Sequence, residues 1–240
     1  MCTLILGRDV LGPGVTLLAA NRDEDPARPS DPPGILLDSP RVAGGRDRRA
    51  GGTWLAVRSD AAVAMLNRRP GPAPPPAERS RGLLALDVAA VAESGGRLLD
   101  AAREVALRAV AAASYAPFTL AFVAPDAAWI LRWDGHATVA QVPPGWHVLT
   151  HAELDDAHEP RTQRLLRELE GWVPQSGADA ERGLRTRLSA HDDPRVCIHE
   201  GPVATVSYSL VTLAPEGVRY LHGEGRPCEQ PLRDWTHLLR

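Results

Sequence analysis

The stretch MCTLILGRDVLGPGVTLLAANRDE, from Met1 to Glu24, decides the predicted fold. Two apolar segments, Cys2 to Leu6 and Val15 to Ala20, flank the turn-like Gly12-Pro13-Gly14. This pattern predicts a hairpin of two buried strands. The second strand ends in the polar residues Asn21 to Glu24. The hairpin therefore brings the start of the chain together with a polar cluster.

Cys2 becomes the first residue once the initiator methionine is removed, a step that a small second residue favours. The thiol then lies beside a free α-amine, whose reference pKa of about 7.7 to 8.0 lets it accept a proton near neutral pH. Strand alternation places Asn21 and Asp23 on one face and Arg22 and Glu24 on the other. We expect Asp23 to orient the amine and Arg22 to lower the pKa of the thiol. The alternative for each is an ordinary ion pair at a strand end.

The next part of the chain alternates between irregular and strand-like segments. Pro, Gly, Asp and Arg dominate from Pro26 to Gly52, which predicts a long surface loop. A second hairpin is predicted from Trp54 to Val57 and Ala62 to Leu66. Five prolines then fall within residues 70–76, a composition typical of a linker or lid.

The remaining chain alternates between helix-like and strand-like segments. Apolar residues at three- and four-residue spacing predict amphipathic helices at Arg81 to Glu93, Arg97 to Ala113, Arg161 to Glu170 and Asp179 to Leu188. Further strands are predicted at Phe118 to Val123, Trp129 to Trp133, Thr138 to Val142, His147 to Thr150, Val203 to Leu213 and Val218 to Leu221. This order suits stacked sheets covered by helices, in a single domain spanning residues 1–240.

Composition narrows the class of protein. The formal net charge of −3 leaves no basic surplus, so nucleic acid is not an expected partner. The cysteines Cys2, Cys197 and Cys228 show no CxxC spacing, which argues against a disulfide scaffold or a structural zinc cluster. No segment is long and apolar enough for a signal-peptide core or a membrane span. A cytoplasmic protein is expected.

Six short motifs occur in one order along the chain. They are Met1-Cys2-Thr3-Leu4, Ala20-Asn21-Arg22-Asp23-Glu24, Gly44-Gly45-Arg46-Asp47, Gly51-Gly52-Thr53-Trp54-Leu55, Leu66-Asn67-Arg68-Arg69 and Ser80-Arg81-Gly82-Leu83. Together they resemble the NRDE-domain family that includes the Transport and Golgi organisation proteins. The resemblance implies an α+β fold like that of N-terminal-nucleophile hydrolases, a four-layer αββα sandwich of two antiparallel sheets.

The resemblance also implies roles for individual residues. Asn67 would help bind an oxyanion, with a turn-capping amide as the alternative. His151 replaces an asparagine that is commoner in the family, and its imidazole can donate one hydrogen bond. Val206 stands where an arginine is expected. The expected catalytic residues are Cys2, Arg22, Asp23, Asn67 and His151, and the expected substrate-binding residues are Asn21, Arg46, Trp54 and Arg68.

Two features leave alternatives open. Arg46 lies among glycines that match no phosphate-binding fingerprint, so it either holds a substrate carboxylate or stabilises its own loop. Two groups of polar residues contain metal-ligand types: His147, His151, Asp155, Asp156 and His158, and His191, Asp192, Asp193, Cys197 and His199. Neither group has diagnostic spacing, so no metal is expected.

The predicted activity is that of a hydrolase or acyltransferase in which Cys2 attacks an amide or thioester of a small acyl substrate. The alternative is a non-catalytic protein of the same fold that binds or transports haem or an acyl lipid. No cofactor is expected. Because no CxxCH motif is present, any haem would bind reversibly through Cys2 or a histidine. The sequence leaves the oligomeric state open.

Overall fold

A computed structural model describes residues 2–69 and 77–240 of the chain. Contacts divide these residues into two compact units. The first unit contains the chain up to Ala27 together with Pro143–Trp235, and the second contains Arg28–Val142 with Thr236–Arg240. Within the described ranges, no helix is long and apolar enough to cross a membrane. The proline-rich segment 70–76 lies outside the described residues.

The first unit is built on a six-stranded antiparallel sheet. Its strands are β1 (Thr3–Arg8), β2 (Thr16–Glu24), β10 (Gly145–Leu149), β11 (Ala204–Ala214), β12 (Gly217–Glu224) and β13 (Arg233–Asp234), in the order β10-β1-β2-β11-β12-β13. Two helices, α3 (Pro160–Leu169) and α4 (Gly177–Leu188), pack on this sheet. Leu165 and Leu184 from the helices meet Ile5 and Leu210 from the strands in one buried cluster.

The second unit is built on a seven-stranded antiparallel sheet. Its strands follow chain order: β3 (Ser30–Asp38), β4 (Arg41–Asp47), β5 (Leu55–Val57), β6 (Ala62–Asn67), β7 (Phe118–Val123), β8 (Ala128–Trp133) and β9 (Ala137–Gln141). Helices α1 (Arg81–Ala89) and α2 (Leu98–Ala112) supply the other half of its core. The α+β class with two antiparallel sheets and their helices is thus confirmed.

The prediction of a long loop from Pro26 to Gly52 is wrong, because this segment contains the hairpin of β3 and β4. The prolines of this segment are the reason that a loop is predicted from the sequence. Pro32 and Pro33 lie in β3, which is an edge strand, and the ladder is irregular between Asp31 and Gly34. An edge strand needs only one row of backbone hydrogen bonds, so it tolerates residues that cannot donate.

Two predicted strands have their pairing set by the first sheet. The strand predicted at His147 to Thr150 is β10, which pairs with β1 and not with β9, the strand before it in the chain. The polar residues Asn21 to Glu24 form the last four positions of β2, in agreement with the prediction, and Asn21 lies opposite Thr3. Their side chains therefore alternate between the two faces of the sheet, as the strand period requires.

Two glycines from different motifs touch each other in the second unit. A Cβ atom on Gly52 would lie 2.2 Å from the carbonyl carbon of Gly82, far inside van der Waals contact. The backbone N–H of Thr53 donates to the carbonyl of Gly82 over 3.1 Å. The Gly51-Gly52-Thr53 and Ser80-Arg81-Gly82 motifs thus form one backbone contact that only glycine permits.

Replacing Gly52 by alanine should therefore destabilise the protein strongly. The methyl group meets backbone atoms that cannot rotate away, so we expect the free energy of unfolding to fall by about 3 kcal/mol. Urea denaturation followed by circular dichroism measures this loss. The matched control is Gly34→Ala in β3, where an added Cβ meets nothing within 4 Å. Equal losses in the two variants would contradict the proposed backbone contact.

Candidate functional site

Cys2 immediately precedes β1, an interior strand of the first sheet. It directly precedes Thr3, which pairs with Asn21 of β2. The residue as a whole is partly exposed, although its thiol is buried. The N-terminal hairpin therefore brings the sulfur next to Asp23 and within range of the charge of Arg22.

Asp23 is the most deeply held acid of this group, with a fully buried side chain. Its Oδ2 accepts a hydrogen bond from Nη1 of Arg161 over 3.2 Å, and its Oδ1 accepts one from the hydroxyl of Thr205 over 2.7 Å. The same Nη1 of Arg161 donates to the hydroxyl of Thr3 over 2.8 Å. One carboxyl group therefore joins α3 and β11 to the start of β1.

The electrostatics of the pair Cys2 and Asp23 are governed by burial. Burial raises the pKa of Asp23 above its usual value, although the charge of Arg161 and the hydrogen bond from Thr205 oppose the shift. Burial, followed by the carboxylate of Asp23, also raises the pKa of Cys2. Arg22 does lower the pKa of Cys2, but its effect is smaller than these two, so the net shift is upward.

Arg22 and Asp23 occupy opposite faces of β2. Arg22 pairs with Ser207 of β11, and its charge lowers the pKa of His222 as well as that of Cys2. Burial is the larger cause for His222, and its pKa falls to about 4. The buried imidazole accordingly stays neutral at physiological pH, where Nδ1 lies 2.8 Å from the hydroxyl of Ser209.

Asn21 has a structural use in this arrangement. Its Nδ2 donates to the carbonyl oxygens of Leu188 and Val196 over 2.9 and 3.0 Å. These two carbonyls belong to the end of α4 and the connection that follows it. The amide group predicted to bind substrate therefore holds this connection against β2.

The two histidines around β10 differ in their surroundings. His147 is hydrogen-bonded on both ring nitrogens, to Asp155 over 2.6 Å and to the carbonyl of Pro143 over 3.0 Å. Both imidazole positions are thus taken by neighbouring residues. His151 follows β10 and is buried within the first unit.

The other predicted site residues lie in the second unit. Asn67 is the exposed last residue of β6, and Arg68 donates to the hydroxyl of Thr119 over 3.3 Å. Arg46 donates to the carbonyl of Gly51 over 3.2 Å, which supports the loop-stabilising alternative. The indole of Trp54 packs where a Cβ on Gly45 would be, 2.4 Å from that position.

Sequence reasoning missed two residues that hold Asp23. Arg161 was identified only as the start of a helix, and Thr205 only as part of a strand. They are separated from Asp23 by 138 and 182 positions along the chain. No local pattern marks such distant partners, so only the folded chain reveals them.

Known structures share this architecture. A crystal structure of a variant of conjugated bile acid hydrolase from Clostridium perfringens aligns with 100% of this chain and 94% of its own, with a TM-score of 0.53 and 11% sequence identity. That enzyme is an N-terminal-nucleophile hydrolase, so the fold is one of that class. No curated protein matches the sequence. The chain belongs to the Transport and Golgi organisation 2 family, whose sequence model matches residues 1–197.

Removing the cation beside Asp23 should destabilise the protein in a pH-dependent way. The Arg161→Gln variant leaves the buried carboxylate without its charged partner, and we expect a loss of about 3 kcal/mol at neutral pH. The folded pKa of Asp23 already lies above its usual value and rises further in the variant. As the pH falls, Asp23 therefore takes up a proton in the native state at a higher pH than in the unfolded state. The loss of unfolding free energy in the variant accordingly becomes smaller at lower pH.

Urea denaturation of both proteins at about pH 7.5 and about pH 5 measures this difference. The matched control is Arg167→Gln, an exposed arginine on the same helix. A loss that is the same at both pH values would contradict the assignment of the effect to ionised Asp23.

Proposed function

We propose that the protein is an N-terminal cysteine hydrolase or acyltransferase that acts on an amide or thioester of a small acyl substrate. The observation that carries the proposal is the position of the buried carboxyl of Asp23 next to Cys2 at the head of the N-terminal hairpin. Family membership and the fold of an N-terminal-nucleophile hydrolase support it.

Removal of Met1 is the first step of the proposed mechanism, because it leaves a free α-amine on Cys2. The pKa of the thiol is raised, so at neutral pH the thiol needs a base to remove its proton. The α-amine of Cys2 itself, with a reference pKa of about 7.7 to 8.0, is the proposed base. Asp23 orients the resulting ammonium, since its carboxyl group lies next to Cys2.

The reaction then follows the course of acyl transfer. The sulfur of Cys2 attacks the carbonyl carbon while its proton passes to the α-amine. Collapse of the tetrahedral intermediate breaks the bond to the leaving group, which takes that proton, and leaves a thioester on Cys2. Water or another acceptor attacks the thioester and releases the acyl group. His151, which lies in the same unit as Cys2, is the proposed donor to the oxyanion.

The second candidate is a binding protein for haem or an acyl lipid with no turnover. One observation favours it: Val206, where the resemblance implies an arginine, lies at an irregularity of the ladder between β11 and β2. A bulge changes the direction of the side chains around it. Position 206 therefore lacks the positive charge of an arginine, and its side chain does not point as it would in a regular strand.

Covalent labelling of Cys2 tests the proposed nucleophile. Protein whose intact mass shows the loss of Met1 is treated with an activated ester or an acyl thioester and digested for mass spectrometry. We expect an acyl adduct on Cys2, and none on Cys197, whose pKa is raised to about 12 by burial and by the Cys228 thiol. The Cys2→Ala variant should lose hydrolysis of the same donor.

An unlabelled Cys2 in processed protein would contradict the proposed hydrolase. Titration of that protein with haem and with an acyl-coenzyme A, followed by absorbance and fluorescence, then examines the second candidate. Saturable binding with no adduct supports a binding protein, and the absence of both contradicts the two proposals together.

The pH dependence of Cys2 alkylation should respond to its two charged neighbours in opposite directions. Asp23→Asn removes a negative charge that raises the pKa of the thiol, so alkylation should begin at lower pH. Arg22→Gln removes a positive charge that lowers the pKa, so alkylation should begin at higher pH. Iodoacetamide labelling across pH, quantified on the Cys2 peptide, measures both shifts. Parallel shifts in the two variants would contradict this electrostatic assignment.

A further inference from the structure

Four potential metal ligands that the proposed reaction does not use meet within the first unit. They are His191, Cys197, His199 and Cys228, and their ligand atoms all lie within 4.8 Å of one another. Cys197 is fully buried, His199 and Cys228 are partly buried, and His191 is exposed. A compact group of two thiols and two imidazoles is a donor set that zinc prefers.

The distances within the group agree with a tetrahedral ion. Zinc–sulfur bonds of about 2.3 Å place two tetrahedral sulfurs about 3.8 Å apart, and the Sγ atoms of Cys197 and Cys228 are 3.7 Å apart. A sulfur and a histidine nitrogen on the same ion should lie about 3.5 Å apart. The distance from Sγ of Cys228 to Nε2 of His199 is 3.3 Å.

The rings of the two histidines also converge. Their centroids are 4.5 Å apart and their planes are inclined by 65°. This inclination lets one nitrogen from each ring point towards a common centre, which parallel stacking would prevent. His191 therefore closes the side of the group that faces solvent, opposite the buried thiol of Cys197.

The second nitrogen of His199 faces a carboxylate. Its Nδ1 lies 3.6 Å from Oε1 of Glu229, while Nε2 faces Cys228. Arg226 holds the same carboxylate through two contacts of 3.0 Å and also donates to the carbonyl of His199. A carboxylate behind a histidine is the usual arrangement around a protein-bound metal, because it fixes the ring and its tautomer.

We propose that His191, Cys197, His199 and Cys228 bind one zinc ion in a structural site. Binding converts the two thiols to thiolates and releases two protons, so the two negative sulfurs balance the charge of Zn²⁺. The four side chains complete the tetrahedron and leave no position for a substrate, which separates this site from the chemistry at Cys2.

The ion would connect two irregular segments of the first unit. Three ligands lie between α4 and β11, and Cys228 lies in the turn that follows β12. The first segment is already held to β2 by the two hydrogen bonds of Asn21. Its Ile198 N–H donates to the hydroxyl of Thr205, which in turn donates to Asp23. Zinc would thereby hold in place the segment between α4 and β11, which contacts Thr205, one of the two residues that bind Asp23.

Metal analysis of the full-length protein tests the proposal. The chain is purified with zinc in the medium and without chelator, and its zinc content is measured by inductively coupled plasma mass spectrometry. We expect about one zinc ion per chain in the wild type and in Cys2→Ser, and a loss of most of that zinc in Cys228→Ser. His136→Asn, in the turn between β8 and β9, controls for a histidine that is not a ligand.

Two further measurements keep the test valid if Cys228→Ser folds poorly. Cobalt(II) added to reduced wild-type protein should give the intense visible bands of a tetrahedral thiolate site. Glu229→Gln keeps all four ligands and should weaken zinc binding by about 10-fold or more, measured by competition with a chromophoric chelator.

Two results would overturn the proposal. One is reduced, folded wild-type protein that takes up neither zinc nor cobalt. The other is a disulfide between Cys197 and Cys228 that persists when the protein is purified with both reductant and zinc, because the sulfurs would then serve as a cross-link. Tetrahedral cobalt bands that vanish on adding zinc, together with the loss of zinc in Cys228→Ser, support the site.

Discussion

The buried carboxyl group of Asp23 is the interaction on which the first unit depends. A charge without solvent is costly unless it has partners, and the two partners here come from Arg161 on α3 and Thr205 on β11. Arg161 also binds Thr3, the residue after Cys2. The hydrogen bonds and ion pair of this one carboxyl group therefore hold α3, β11 and the start of the chain in place around the thiol.

The same burial sets the chemistry of Cys2. Thiolate formation is disfavoured next to a buried carboxylate, and Arg22 offsets only part of this effect. In the proposed mechanism, the thiol lacks a base while Met1 precedes it and gains one when processing exposes the amine of Cys2. The fold would thus link activity to the maturation of the N-terminus.

Much of the fold follows from local patterns. The N-terminal hairpin, the hairpin of β5 and β6 and all four helices lie where periodicity predicts them, because each buries one apolar face. The hairpin of β3 and β4 was not predicted, because Pro32 and Pro33 are typical of loops. The sequence does not show that β3 is an edge strand, where prolines are tolerated. The pairing of β10 with β1 was not predicted either, because the partner of a strand depends on the arrangement of the whole sheet.

The sequence by itself determined the family, the class of fold and the juxtaposition of Cys2 with Arg22 and Asp23, because a hairpin joins residues that are close along the chain. Only the tertiary structure decided which residues hold Asp23 and which way the pKa of the thiol moves. It also decided that Cys228 joins His191, Cys197 and His199. These features depend on burial and on contacts between segments that are distant along the chain, and neither can be predicted from the local spacing of residues.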